Sequence, residues 1–279
     1  MLLRNALLAS MVCLFSVKGF SQGKQKQLKV MTYNIRHASP PTHPEAIDVD
    51  TIAALINKYK PDVVALQEVD VNTRRSGKMM NEAKELGEKT KMYYYFGKAI
   101  DFDGGGYGIA ILSKFPFDSV KTYNLPSANN HAERRALALG YLRIDEHKKM
   151  LFACTHLDAE KDHASRMLQI KTIDSLISHS PFPLVLAGDL NSETGSPVIQ
   201  VLDQNFQRSC LNDCGYTIPS DKPTETIDFI AYRKSDSCHV ISHRVLQEPY
   251  PSDHLPVMAE LSIAFKKANA KQKTGLRKK

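Results

Sequence analysis

Twice in this chain an apolar run ending in polar residues is followed by a segment of helical spacing and then by a second apolar run that also ends in polar residues. The first set is LKVMTYNI, DVDTIAALINKYK and PDVVALQEV; the second is KMLFACTHL, a helix at roughly 162–178, and PLVLAGDL. Apolar runs of this length read as strands buried on both faces, and Asp48 is placed to cap the first helix. Each set is therefore a strand–helix–strand unit, which permits parallel pairing. Between the two units lie a weaker helix over 79–90, the aromatic strand YYYFGKAI and the turn DGGGYG. From Tyr107 the pattern is mostly strands: YGIAILSK, DSVKTYNL and RALALGYLRI. Helical residues after Pro197, a polar loop through 224, and the strands TIDFIAYR, SCHVISHRVL and LPVMAELSIAF follow. The order predicts an α/β fold: two mixed sheets face to face with helices outside, a four-layer α/β/β/α sandwich.

The 279 residues fit a single domain over 29–265, and the formal charge of +7 is misleading as a guide to its partner. Residues 1–29 hold five basic side chains and 266–279 hold seven, neither segment holding an acid, so 30–265 carries a net charge of −5. The body is mildly acidic, which argues against duplex nucleic acid as the partner, because phosphate neutralisation dominates that binding. The first 21 residues read as an export signal: Arg4, the apolar stretch Ala6 to Phe15, and Gly19-Phe20-Ser21 with cleavage before Gln22. A retained anchor or a frayed amphipathic start is the alternative. Export places the mature chain in the periplasm or outside the cell, with 22–28 as a linker. The segment 266–279 reads as a disordered basic tail, with a grip on nucleic acid or an anionic membrane as the other reading. In an oxidising compartment Cys210 and Cys214 can form a disulfide, whereas Cys154, in mid-strand, reads as a buried thiol.

Chemistry collects where the apolar runs stop. Glu68 closes VVALQE, and a carboxylate emerging from such a strand needs compensation. Either a hard divalent cation supplies it or Arg74 or Arg75 does. Asn34, after a similar run, can hold a phosphate oxygen or accompany that carboxylate. In GDLN, Asp189 and Asn191 leave on one side of the strand, able to orient a water and a phosphoryl oxygen; a plain Asx turn is the bland account. In SDHLP, Asp253 can ligate a cation, and His254 can take a proton from water. Asp228, a charge in the apolar strand IDFI, is the candidate to orient His254, as Glu133 is for His156 in THLD. The cluster Arg74, Arg75 and Lys78 can recognise a second phosphate or a head group.

The ordered set TYN, QE, THLD, GDLN, IDFI and SDHLP resembles the endonuclease/exonuclease/phosphatase superfamily, from about Lys29 to Phe265. The resemblance implies a deoxyribonuclease I-like fold and a Mg²⁺- or Mn²⁺-dependent phosphoesterase. Glu68, Asn34 and Asp253 would then stand at the cation, Asp189 and Asn191 would orient nucleophile and phosphate, His254 would be the base with Asp228 as partner, and His156 would bind phosphate or act as acid. Near-minimal length and the absence of an inserted apolar loop favour a small or head-group phosphoester; a secreted nuclease is the alternative, and a non-catalytic phosphate-binding module the alternative of another class. No protein partner is indicated, and a monomer is expected.

Overall fold

The structure is a computed structural model that describes residues 25–129, 132–210 and 213–265. The segments read as export signal and basic tail lie outside the described residues. The first half comprises β1 (Gln25–Asn34), α1 (Val49–Tyr59), β2 (Val63–Val71), α2 (Glu82–Thr90), β3 (Tyr93–Phe102) and β4 (Gly105–Ser113). There follow β5 (Phe117–Asn124), β6 (Ala136–Arg143), β7 (Lys149–His156), α3 (Ala164–Ile177) and β8 (Leu184–Asp189). The chain then forms α4 (Pro197–Asn205), β9 (Phe206–Arg208), β10 (Asp228–Arg233), β11 (Cys238–Val245) and β12 (Val257–Ala264).

Two six-stranded sheets result, in the orders β11-β12-β1-β2-β4-β3 and β5-β6-β7-β8-β10-β9. Among the described residues only β1/β2 and β7/β8 are parallel, the two pairs for which the repeated strand–helix–strand pattern allows it. The inner faces meet through residues such as Val30, Ala65, Ile111, Phe152, Ala187 and Ile230. Outside, α1 and α2 cover the first sheet with Ile52, Ile56 and Leu86, and α3 and α4 cover the second with Ile170, Ile173 and Leu202. Each such side chain, fully buried, contributes about 1.5–3 kcal/mol. The four-layer sandwich expected from the sequence is the fold observed.

Local chemistry sets the boundaries. Asp48 accepts the Thr51 N–H at the start of α1, and Lys60 ends that helix in the left-handed region, φ 53°. Strand β1 begins at Gln25, opposite Ala264, so the last part of the segment read as a linker is already sheet. The loop through 224 contains β9, a three-residue edge strand too short for any alternation to show. Cys210 and Cys214 form a disulfide in that loop, and Cys154 is a buried free thiol.

Strand register then assembles the polar ends. Asn34 pairs with Gln67 across β1/β2. His156 pairs with Asp189, and Asp189 with Asp228, so three motif residues form one row across β7, β8 and β10. Gly188 makes that row possible: a Cβ there would stand 2.1 Å from the Thr155 carbonyl oxygen, so any side chain would wedge β7 from β8 beside Asp189.

Candidate active site

Glu68 leaves β2 at a bulge between Gln67 and Val69 with φ 56°. A left-handed conformation costs a non-glycine residue roughly 1–2 kcal/mol, and the bulge re-aims the side chain. Gln67 stays in the sandwich interior, where it accepts from Thr32 Oγ1 at 3.3 Å and donates to Cys154 Sγ at 3.5 Å. Glu68 instead turns to Asn34, whose Nδ2 donates to Glu68 Oε1 (3.0 Å) and to Asp189 Oδ2 (3.1 Å). The Asn34 carboxamide is fixed in that sense because its Oδ1 accepts the Arg36 backbone N–H at 3.1 Å. Burial pushes the Glu68 carboxyl up, the Asn34 hydrogen bond opposes this, and Asp253 pushes it up further.

The other wall of the site is made by β7, β8, β10 and the loop before β12. His254 Nδ1 donates to Asp228 Oδ2 at 2.9 Å, which leaves Nε2 facing Asp189 Oδ2 at 3.8 Å. Both oxygens of Asp189 are engaged: Oδ1 accepts the Asn191 N–H at 2.9 Å, and Oδ2 meets Asn34 and, at 3.5 Å, His156 Nε2. Asn191, left-handed at φ 45°, donates Nδ2 to the Leu157 carbonyl at 2.9 Å, tying GDLN to THLD. Ser252 Oγ donates to the Asn34 carbonyl at 2.7 Å and so fastens the SDHLP loop to the end of β1.

Electrostatics separates the two histidines. Burial alone would lower His254, but Asp228, reinforced by Asp189 and Asp253, raises it to about 10. Asp189 is raised by its burial and by the Asp228 charge. His156 goes the other way: burial first, then Arg135 and His254, hold it well below the ordinary histidine value. Its Nδ1 lies 3.3 Å from an Arg135 N–H. Since arginine can only donate, Nδ1 is the acceptor and the proton is on Nε2, the nitrogen that faces Asp189.

Three expectations are corrected by this geometry. Glu133 does not orient His156; it pairs with Arg135 at 2.8 Å, and Arg135 lies between them. The adjacent arginine, already nearly buried between the two, reaches the ring first, and it selects the tautomer opposite to the one a carboxylate would. Asn34 is not a ligand in the orientation it adopts: its nitrogen bridges two carboxylates and its oxygen faces Arg36. Arg74 and Arg75 are not free cations. Arg74 Nε binds Asp103 at 2.8 Å, and Arg75 binds buried Asp70 through Nε and Nη2 at 2.7 and 2.9 Å. Arg75 also lies 4.4 Å from the Phe102 ring centroid and 5.4 Å from that of Tyr107. Neither arginine pairs with Glu68, which excludes the simplest alternative account of that carboxylate. With Asn72, Lys78 and Gly104, Arg74 lines an open cleft of about 540 Å³.

Sequence reasoning missed Arg135 and Tyr107. Arg135 stands in ERRAL beside Glu133, where three charged residues in a row gave no sign of which one turns inward. Tyr107, next to last in DGGGYG, is buried, and its hydroxyl is raised beyond the normal tyrosine range by burial and then by Glu68 and Glu133.

A divalent cation fits the Glu68 side. Among the described residues Glu68 Oε2 makes no hydrogen bond, Asp253 has a side chain 41% exposed that meets Ser252 Oγ at 3.3 Å and Arg36 at 3.4 Å, and the two carboxylates repel each other. An oxygen-only donor set with surplus negative charge suits a hard cation such as Mg²⁺. Ligand atoms of Asp189, Asp228 and His254 also lie within 4.8 Å of one another. There the 2.9 Å contact between His254 Nδ1 and Asp228 is a hydrogen bond directed at each partner, an arrangement also suited to holding or moving a proton.

Comparison with known proteins agrees with this architecture. Residues 31–254 match the model of the Endonuclease/Exonuclease/phosphatase family, and the chain belongs to that family. Its members are divalent-metal-dependent phosphoester hydrolases, and the protein is an enzyme of that class. Among solved structures, an endonuclease/exonuclease/phosphatase from Beutenbergia cavernae superposes with a TM-score of 0.73 at 24% identity, over 85% of this chain and 72% of that one. A family protein from Bacteroides thetaiotaomicron gives 0.70 at 19% identity over 86% and 99% of the two chains. A mannosyl-6-phosphatase from the same species gives 0.66 at 20%, over 84% and 99%. Comparison with curated protein sequences gives no match.

Proposed function

We propose that this protein is an exported, Mg²⁺- or Mn²⁺-dependent phosphoesterase that hydrolyses a small or head-group phosphoester by in-line attack of water. The observation that carries the reading is the unbroken line of contacts from Asp228 through His254 and Asp189 to Asn34 and Glu68. It sets a proton-accepting group and a cation-binding carboxylate on opposite sides of one carboxamide. Glu68 and Asp253 would hold the cation, which when bound supplies positive charge to offset the charge gained by phosphorus and to weaken the hold of His254 on its proton. Asp228 fixes the His254 tautomer so that Nε2 can take the proton of a water held at Asp189. His156 offers a neutral Nε2–H, and Asn191 stands beside it on the GDLN turn; both are placed to hold phosphoryl oxygens, with Arg135 locking His156 from behind. A neutral His156 suits phosphate binding better than acid catalysis.

The disulfide Cys210–Cys214 supports an oxidising compartment and so export, and the acidic body supports a small ester over duplex DNA. Among the described residues no helix is long and apolar enough to cross a membrane. The test is hydrolysis by residues 22–279 with Mg²⁺ or Mn²⁺ of sugar phosphates, inositol phosphates, sphingomyelin, a generic phosphodiester and plasmid DNA, beside His254→Ala. Turnover of a small or head-group ester, lost in the variant, is expected. Cleavage of DNA alone would transfer the assignment to a nuclease, and no cleavage would leave a phosphate-binding module.

A further inference from the structure

Beyond Glu68, β2 runs on to Val71 and passes into the loop that lines the open cleft of about 540 Å³. Four residues of chain span at most about 14 Å, so the backbone of Asn72, four positions after Glu68, lies no farther than that from the backbone of the candidate cation ligand. The loop is tied down from within. Buried Asp70 accepts from Thr73 Oγ1 (2.7 Å), from Ser76 Oγ (2.8 Å) and from two nitrogens of Arg75, and the Asn72 N–H donates to the Met80 carbonyl at 2.6 Å. These bonds account for Asp70, Thr73, Arg75 and Ser76. They do not account for Asn72, Arg74 and Lys78, the exposed residues that line the cleft with Gly104.

Arg74 is held without being used up. Asp103 Oδ1 accepts its Nε at 2.8 Å, the Arg74 backbone N–H donates to the Asp103 carbonyl at 3.0 Å, and the Arg75 N–H donates to Asp103 Oδ2 at 2.8 Å. Among the described residues neither terminal nitrogen of Arg74, nor the Lys78 ammonium, nor the Asn72 carboxamide has a hydrogen-bond partner. Anchoring a guanidinium through Nε sets the direction of its two terminal nitrogens, and that pair can grip a tetrahedral oxyanion with parallel bonds. No acidic residue lines the cleft, on a body whose net charge is −5. Gly104, left-handed at φ 82° in the hairpin turn between β3 and β4, keeps the space beside Arg74 open: a Cβ there would meet only Arg74 Nε, at 4.0 Å.

We infer that this cleft is a second anion-binding site, separate from the hydrolytic one, that takes a phosphate or sulfate group, carried by the substrate or present as a free ion. None of its four lining residues takes part in the chemistry of Glu68, Asp189 or His254, so the inference stands independently of the phosphoesterase reading.

The test is calorimetric titration of inorganic phosphate into the metal-free protein, in which the carboxylates of Glu68, Asp189 and Asp253 disfavour an anion at the hydrolytic site. Affinity is expected to fall about tenfold in Arg74→Ala and in Lys78→Ala, the loss of a charge-assisted hydrogen bond in each, with no loss of melting temperature because both side chains are exposed. Gly104→Asn keeps every charge and accepts the left-handed backbone, yet places a side chain in the cleft, and the same fall is expected. Unchanged affinity in Gly104→Asn would show that diffuse surface charge attracts the ion; that result, unchanged affinity in Arg74→Ala or Lys78→Ala, or no binding by the wild type would each overturn the inference. The source of the group is read with Mg²⁺ present, from kcat/KM for fructose 1,6-bisphosphate against fructose 6-phosphate in the wild type and Lys78→Ala. A fall confined to the bisphosphate assigns the group to the substrate, and an equal change for both esters assigns it to a free ion. Failure of the phosphoesterase reading would appear separately, as an absence of hydrolysis by the wild type with phosphate binding intact.

Discussion

The exits of β2 and β8 are built from the same strand–helix–strand pattern, yet they end in opposite electrostatic conditions. At β8 the carboxylate is saturated: Asp189 accepts from Asn191 and Asn34 and faces two imidazoles. At β2 the carboxylate is short of partners: Glu68 has one hydrogen bond, an idle second oxygen and a repelling neighbour in Asp253. The β8 exit lies in regular register, whereas the β2 exit needs a bulge and a left-handed residue to turn its carboxylate outward. A self-sufficient proton-handling group and an unfinished anionic site are therefore held together by one carboxamide, Asn34. The lesson of the contrast is that the unfinished end is the one that calls for a cation from outside.

The largest expected effect falls on the finished end. His254→Ala and Asp189→Asn should each lower kcat by roughly a hundredfold to ten-thousandfold while metal affinity stays near that of the wild type; steady-state kinetics with a metal titration checks both halves of that statement. Near-normal turnover in either would remove the division of labour. At the unfinished end, Glu68→Gln should weaken Mg²⁺ by roughly 10–100-fold, read as a displaced activation curve, with much of the rate recovered at saturating metal.

A pH titration sharpens the same contrast. Burial lowers His254, but Asp228 and Asp189 outweigh it and bring the ring to about 10 in the metal-free protein. The folded-state value thus lies above the unfolded 6.5, so the stability this group contributes is complete below 6.5 and is lost as pH rises through about 10. Nitrogen NMR of the ring should show imidazolium at pH 8 without metal, and neutral imidazole there in Asp228→Asn. A neutral ring in the metal-free wild type would contradict the account. The smallest effect is expected at Glu133: because Arg135, not Glu133, touches His156, Glu133→Gln should change KM by no more than about threefold, less than Arg135→Gln, which leaves the His156 tautomer unset.

Much of this was legible in the sequence because hydrophobic period is local. The β-α-β units follow from apolar runs separated by helical spacing, and the placing of His156, Asp189 and Asp228 at strand ends from the motifs; that the three form one row is set by the strand register. The pairing of Asp228 with His254 could be anticipated because a charge inside IDFI has few other uses. Other features depend on which way a side chain turns. In ERRAL nothing local tells Glu133 from Arg135 as the neighbour of His156. Asn34 could be placed beside Glu68, but the sense of its carboxamide is set by the Arg36 N–H in a turn with no glycine to announce it. Arg74 and Arg75 read as a free basic cluster because their partners, Asp103 and Asp70, are respectively remote in sequence and hidden in an apolar strand.

The central claim is that the cation belongs at Glu68 and Asp253 and the proton at Asp189, Asp228 and His254. Calorimetric titration of Mg²⁺ into the wild type, Glu68→Gln and His254→Ala tests it most directly. The account predicts that His254→Ala binds the ion as the wild type does and that Glu68→Gln binds it at least about tenfold more weakly. The reverse order, with binding lost in His254→Ala and kept in Glu68→Gln, would place the ion in the Asp189–Asp228–His254 cluster and contradict it.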